Sequence, residues 1–326
     1  MNLEDRQAGA EGGDPGRQPQ QSASSGARRL SHFTPLRYPG GKGKLAAYVK
    51  ALLAANDLLD GEYVEPYAGG AGIALELLLQ EYVTRIHIND VSELVHGFWW
   101  SVLNATEELC QLVTDTPRTV SEWDRQKKII MRPSEHSAIE VGFATFFLNR
   151  TNRSGILNGG IIGGRDQSGP WKIDARYNAA ELSRRIQSIA TLRSRIELTR
   201  LDALSLISSG TTNWPAKTLI YLDPPYYAKG RELYYDFYKH EDHIDVANSV
   251  QSLIVKQKWI VSYDNESAIC DMYSQRRRSI YSIGYSARGT KQGSEVMFFS
   301  DDMIIAPLVG PVIASEDASE LKLMNA

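Results

Sequence analysis

The sequence predicts a doubly wound α/β sheet, mostly parallel, with an antiparallel strand pair at one edge and a small helical and hairpin lobe inserted into it. Three observations lead there. Short apolar runs recur along the chain, most are separated by stretches of helical periodicity, and several of the runs end in an acidic residue. Strand and helix in alternation imply parallel strands joined by right-handed crossovers.

The runs at 63–65, 85–89, 195–199, 218–222, 259–262, 279–283 and 295–299 read as buried strands. Between most of them, residues 73–80, 93–112, 179–192 and 243–256 carry helical spacing. Only residues 284–293 join the last two strands, too short a link for a crossover helix, so these two form an antiparallel hairpin. The alternation breaks over 113–190, where the glycines of "NRSGILNGGIIGGRDQSGPWKIDARYN" predict an extended hairpin or loop projecting from the sheet. The expected organisation is therefore a disordered tail over 1–30, a sheet domain made of 31–112 and 191–308, an inserted lobe over 113–190, and a C-terminal tail over 309–326. No repeat is visible that would suggest a solenoid.

At 326 residues, 42% apolar and 23% charged, the chain has the composition of a water-soluble globular protein, and no apolar run approaches the ~20 residues needed to cross a bilayer. Residues 1–29 are rich in Gly, Gln, Ser and Arg without an apolar stretch, so a cytoplasmic location is expected. Cys110 and Cys270 lie far apart, without disulfide or metal spacing, and read as core thiols in a reducing compartment. A net charge of −3 does not advertise nucleic-acid binding. Local clusters such as Arg184, Arg185, Arg193 and Arg195 leave it open, although solvated faces explain them equally well. His240 and His243 in "KHEDH" suit a solvated helix start, and no metal is expected.

"GEYVEPYAGGAGIALELLL" reads as strand, glycine-rich turn and helix, in which Gly69, Gly70 and Gly72 permit close approach of backbone to a ligand. It is not a dinucleotide fingerprint, and a plain turn would look the same. The next strand, "RIHIND", ends in Asp90, about 20 residues on, where an acidic residue meets ribose hydroxyls in nucleoside-cofactor folds. Capping of the following helix is the other reading of Asp90. The pair favours an adenosine-containing cofactor.

"RYPGGKGKL" invites a phosphate-loop reading, which fails because Tyr38 stands where Gly is required and Leu45 where Ser or Thr is. Lys42 is expected to meet a carboxylate instead, with Tyr38 as an aromatic wall beside it. "LTRLDALSL" puts Asp202 near a third strand end, with helix capping again the alternative. Carboxyl ends of parallel strands line one crevice, so Asp90, Asp202 and Asp223 are expected to converge.

"LIYLDPPYYAKG" then acquires a context. Pro224 and Pro225 fix φ and donate no N–H, leaving a stiff loop whose carbonyls remain free to accept. The Asp223 carboxylate and one such carbonyl can grip both hydrogens of an exocyclic amine. Tyr226 can stack on the ring bearing that amine, with Tyr227 as a helper. A stiff turn without chemistry is the plain alternative. "SYDN", residues 262–265, closes the fifth strand and reads as support for this loop.

Together these motifs resemble the Dam-type DNA adenine-N6 methyltransferases of the α class, the D12 family, over about residues 33–305. The order fits too: "YPGGK", "EPYAGGAG", "IND", an inserted lobe, "LDPPY". The resemblance implies a Rossmann-like methyltransferase sheet using S-adenosylmethionine to methylate the N6 amine of a flipped adenine in double-stranded DNA. It implies that Tyr38 and Lys42 contact the methionine end of the cofactor, that Ala68 and Gly69 line the turn beneath it, and that Asp90 binds the ribose and Asp202 the adenine. Asp223, Pro224, Pro225 and Tyr226 would form the catalytic loop. "FFLNRTNRSGIL" looks like the family's "LNRTxxNGLxR", retaining Asn149, Arg150 and Thr151. It departs at Ser154, where Asn is usual, and at Asn158, where Arg is, so the family's target sequence does not transfer. Asn149, Arg150, Arg153 and Arg165 are the expected groove and phosphate contacts. A cognate restriction or defence nuclease is an expected partner. Cytosine-N4 methylation and a silent DNA-binding regulator remain as alternatives.

Overall fold

Residues 33–37, 42–228, 238–283, 294–309 and 312–314 are described by the structure, a computed structural model. The strands are β1 (Gly61–Glu65), β2 (Val83–Asn89), β3 (Ile196–Thr199), β4 (Thr218–Leu222), β5 (Lys258–Asp264), β6 (Arg278–Ile283), β7 (Glu295–Phe299) and β8 (Val312–Ala314). They form one sheet in the order β3-β2-β1-β4-β5-β7-β6-β8. The first five are mutually parallel. Strand order therefore reverses between β1 and β4, the point at which open α/β sheets bind ligands.

The helices are α1 (Ala46–Ala55), α2 (Gly72–Leu79), α3 (Glu93–Asn104), α4 (Thr106–Asp115), α5 (Val120–Met131), α6 (Ala138–Thr151), α7 (Ala179–Ala190), α8 (Ala203–Gly210), α9 (His240–Leu253) and α10 (Ser267–Met272). The period of two along each strand sorts its residues between two cores. Tyr63, Leu219, Tyr221 and Ile260 pack with residues of α1, α2, α3, α6 and α7. Val64, Ile220, Leu222 and Val261 pack with Ile207 of α8, Val246 and Val250 of α9 and Ile269 of α10. Both faces of the sheet are covered, so its central strands read as continuous apolar runs.

All seven expected strands are present, and the structure refines their arrangement. The antiparallel member, β7, inserts between β5 and β6, and β8 adds a further antiparallel strand outside β6. The helical stretch at 93–112 is two helices, because the backbone breaks at Ala105 (φ −135°, ψ 42°) and α4 restarts there.

Of the extended hairpin or loop expected after Thr151, the described residues form the loop. Among the described residues it holds an isolated bridge between Asn152 and Ile161 and no strand pair. Helix α6 ahead of it starts at a capping box made by Ser137 and Glu140. Phe143, Phe146 and Phe147 of α6 are buried in the same core as β1 and β4. Close packing on α3 depends on Gly142, where a Cβ would stand 2.2 Å from Ser101 Oγ and 2.4 Å from the Gly97 carbonyl.

Candidate active site

β4 delivers Asp223 to the carboxyl edge of the sheet, beside the end of β5. There its Oδ1 accepts a hydrogen bond from Ser262 Oγ at 2.9 Å and lies 3.2 Å from Lys42 Nζ. The Ser262 proton is committed to Asp223, so Tyr221 donates its hydroxyl to Ser262 Oγ across 2.7 Å. Oδ2 of Asp223 and the carbonyl of Pro224 have no hydrogen-bond partner among the described residues. Pro224 and Tyr226 are buried, and Pro225 is half-buried. Asp223 keeps 17% of its side-chain surface exposed, so the second oxygen is reachable.

The loop is held from β5. Asp264 accepts the backbone N–H of Tyr227 on Oδ1 and that of Ala228 on Oδ2, both at 2.9 Å. The Tyr226 hydroxyl donates to Glu295 Oε1 at 2.9 Å, and Lys42 Nζ sits 5.1 Å above the Tyr226 ring. Glu295 Oε2 accepts from Lys42 at 2.8 Å and from the Tyr281 hydroxyl at 2.8 Å.

Burial raises the Asp223 carboxyl above its usual range and Glu295 raises it further, against the pull of Lys42 and the Ser262 hydrogen bond. Burial works the same way on Glu295, but Lys42 and the two phenol donors outweigh it and leave Glu295 below the usual range. The Lys42 ammonium is desolvated by burial, yet Asp223 and the surrounding phenols hold it well above its ordinary value. Glu295 thus stays anionic while Asp223 is the carboxylate poised to take up a proton.

The glycine-rich turn after β1 is anchored from three sides. Ala68 N–H donates to the Asn89 carbonyl at 2.9 Å, Gly69 N–H to Asp90 Oδ2 at 2.9 Å, and Trp99 Nε1 of α3 to the Gly69 carbonyl at 2.8 Å. Gly69 and Ala71 both have left-handed backbones, with φ of 47° and 46°. For Ala71 that conformation is strained, and such strain persists only where its surroundings impose it. Asp90 Oδ1 also accepts from Ser92 N–H at 3.0 Å. Asp202 caps α8 through Oδ1, at 3.0 and 3.2 Å from the N–H groups of Leu204 and Ser205. Capping holds for Asp202, whereas Asp90 turns the chain ahead of α3 by accepting from Ser92 N–H and caps no helix; each acid stands at a parallel strand end.

A family model described as D12 class N6 adenine-specific DNA methyltransferase matches residues 38–286. The chain belongs to that family. It is an S-adenosylmethionine-dependent enzyme that methylates the N6 amine of adenine in DNA, which sets aside the cytosine-N4 and silent-regulator alternatives. Among solved structures it is similar to the rRNA methyltransferase aviRa from Streptomyces viridochromogenes, at 13% identity and a TM-score of 0.36, over 83% of this chain and 90% of that one. It is also similar to TrmN from Thermus thermophilus, at 13% identity and a TM-score of 0.34, over 78% of this chain and 48% of that one. No curated protein matches the sequence significantly.

The residues of this D12 enzyme fit its cofactor. Asp90 and Asp202, at neighbouring parallel strand ends beside the glycine-rich turn before α2, carry carboxylates of the kind that would accept from a ribose diol and an adenine amine. Tyr38 lies outside the described residues. Lys42 meets protein carboxylates, as expected once the phosphate-loop reading fails. Glu295, Asp223 and Ser262 surround its ammonium at 2.8, 3.2 and 3.5 Å, acceptors for all three of its protons.

The four side chains expected at DNA are placed very differently. Asn149 is buried and faces inward: its Oδ1 accepts from Arg37 N–H at 2.7 Å, and its Nδ2 donates to the carbonyls of Arg37 and Gly155 at 2.7 and 2.9 Å. It clasps the segment ahead of "YPGGK" and offers nothing to a groove. Arg150 is half-buried and donates to the carbonyls of Arg176 and Pro35. Burial, with Arg37 and Arg185 nearby, lowers its pKa to about 10. Arg165 is exposed in a two-pronged pair with Asp124, both contacts at 2.8 Å. Arg153 is exposed, its guanidinium has no partner among the described residues, and it lines a cleft with Gly163, Gly164 and Trp171.

Sequence reasoning missed Glu295 altogether and took Ser262 and Asp264 only as support, within "SYDN". It also missed Asn89, which donates to the carbonyls of Pro66 and Leu201 and accepts from Thr199 and Leu201, binding three strand ends together. The available signal was polar residues inside or ending an apolar strand, where burial demands partners.

Proposed function

We propose that Asp223, Pro224 and Tyr226 grip the target adenine after it has been flipped out of the duplex, and that Ala68, Gly69, Asp90 and Asp202 hold the cofactor beside it. The observation that carries this reading is a pair of acceptors without partners among the described residues, Asp223 Oδ2 and the Pro224 carbonyl, on a stiff loop next to the Tyr226 ring. Two acceptors match the two hydrogens of an adenine amine. Stacking on a tyrosine returns about 1 to 3 kcal/mol of the few kcal/mol that extrusion costs.

The amine is a weak nucleophile because its lone pair is delocalised into the ring. Hydrogen bonds from its hydrogens to Asp223 and Pro224 favour a tetrahedral nitrogen and turn the lone pair outward. S-adenosylmethionine supplies a methyl group already activated on a sulfonium. Asp223 then takes the proton that the methylated nitrogen loses, consistent with the upward push on its carboxyl. Pro224 and Pro225 keep the acceptors from relaxing, so catalysis comes chiefly from alignment and preorganised dipoles. Arg153 contacts a phosphate, and Arg165 does so when it exchanges Asp124 for one.

Duplexes carrying 2-aminopurine at the target adenine test the reading. Fluorescence rises on binding to the wild type and rises less for Tyr226→Ala at equal occupancy. No fluorescence change with the wild type excludes the flipped geometry.

A further inference from the structure

We propose that Glu295 is a positioning residue for methyl transfer, one that fixes the stacking ring and the catalytic acid in a single register by holding the Tyr226 hydroxyl on one carboxylate oxygen and the Lys42 ammonium on the other. This rests on the reading of Asp223 and Tyr226 given above and assigns a role to a residue that reading does not use.

The geometry is specific. Glu295 opens β7, and the register sets it across from Asp264 of β5 on one side and Tyr281 of β6 on the other. Its place inside the sheet, 5% exposed, requires partners for both oxygens. Oε1 takes the Tyr226 hydroxyl at 2.9 Å, and Oε2 takes Lys42 Nζ at 2.8 Å and the Tyr281 hydroxyl at 2.8 Å. Lys42 then reaches Asp223 Oδ1 at 3.2 Å. One carboxylate therefore touches both elements of the target grip, the ring through its hydroxyl and the acid through a shared cation.

A structural ion pair would account for Lys42 and Glu295 alone. It would not account for the hydroxyl of Tyr226, since stacking needs only the ring. Tethering that hydroxyl limits how the ring can turn on its axis and tilt against a base. The same carboxylate sets the charge around Asp223. Facing this cluster are Lys42 ahead of α1, Tyr221 on β4, Asp223 and Tyr226 after it, Ser262 and Asp264 on β5, and Tyr281 on β6. Glu295 raises the Asp223 carboxyl, so without its charge Asp223 ionises more readily.

Four purified variants decide the matter: Glu295→Gln, Glu295→Asp, Tyr226→Phe and Asp223→Asn, each checked for a native melting profile and assayed over pH with saturating DNA and cofactor. Glu295→Gln is expected to lower kcat by about ten- to a hundredfold, the scale of one charge-assisted hydrogen bond, with KM for the cofactor within about threefold of wild type. Its acid limb moves to lower pH, because the rate is lost only as pH falls through a now lower Asp223 value. Glu295→Asp restores part of the rate. Tyr226→Phe keeps the ring and loses the tether, and falls in kcat severalfold even if the Glu295 variants do not fold. Wild-type kcat in Tyr226→Phe, or a Glu295→Gln variant with wild-type kcat and an unmoved acid limb, overturns the inference. Asp223→Asn separates the two levels: if it retains turnover, the grip itself is wrong, whereas loss of turnover in Asp223→Asn beside an active Glu295→Gln removes only the role of Glu295.

Discussion

The ammonium of Lys42 lies 3.2 Å from Oδ1 of Asp223, joining the turn before α1 to the loop after β4 across more than half of the sequence. That contact occupies one oxygen of the acid and leaves the other without a hydrogen-bond partner among the described residues. It also places a cation between two buried carboxylates, Asp223 and Glu295, which would otherwise repel each other.

Replacing Lys42 with Met therefore leaves two buried acids uncompensated. Stability falls by about 3 to 5 kcal/mol, as for other buried pairs broken from one side, measurable by urea unfolding at pH 7. In whatever fraction stays folded, Asp223 is raised further, so the acid limb of kcat moves to higher pH. An unmoved limb would separate Lys42 from the ionisation of Asp223.

Asp264 predicts a different signature. Its two oxygens accept the N–H groups of Tyr227 and Ala228, so Asp264→Ala frees the loop just past the prolines. Unmaking these bonds costs about 1 to 3 kcal/mol. We expect kcat to drop while cofactor affinity, measured by calorimetry, stays near wild type, because the residues proposed to hold the cofactor follow β1, β2 and β3.

Glu65 governs the pH dependence of stability. Burial raises its carboxyl to about 8, against hydrogen bonds from Tyr63 and Ala74 at 3.0 and 3.1 Å. The folded protein keeps this proton where the unfolded chain has released it. Stability therefore declines as pH rises from about 4.5 to about 8, by up to about 1.4 kcal/mol per unit. Glu65→Gln should flatten that slope in melting curves collected from pH 5 to 8. A slope equal to the wild type's would assign the dependence to another group.

The strands and the stiff loop after β4 were legible because their signals are local. An apolar run that ends in Asp90 or Asp223 is visible without knowledge of any distant partner. "LDPPY" and "YAGG" carry their conformations in their own proline and glycine residues. Glu295 stands 253 positions from Lys42, and nothing near it in sequence marks the contact. The break at Ala105 leaves no mark because the helical period runs unbroken through it. The glycines at 155–169 suggested a projecting hairpin or loop and could not choose between them, and nothing in them shows that the apolar α6 before them belongs to the main core. Asn149 is misread for a related reason: an amide beside an arginine suits a groove, and only the fold shows that the backbones of Arg37 and Gly155 have taken up its donors and acceptor.

Salt dependence of DNA binding distinguishes Arg153 from Asn149. Arg153→Ala should lower the slope of log K against log salt by about one, whichever sequence is bound. Asn149→Ala should leave that slope unchanged and instead lower the melting temperature, since it unfastens residues 33–37.

The most direct test of the account measures Asp223→Ala twice, by calorimetry for S-adenosylmethionine and by nucleoside mass spectrometry for N6-methyladenine in a random-sequence duplex. The account predicts cofactor affinity within severalfold of wild type and no methyladenine above background. Methyladenine formed at a rate near that of the wild type would contradict it.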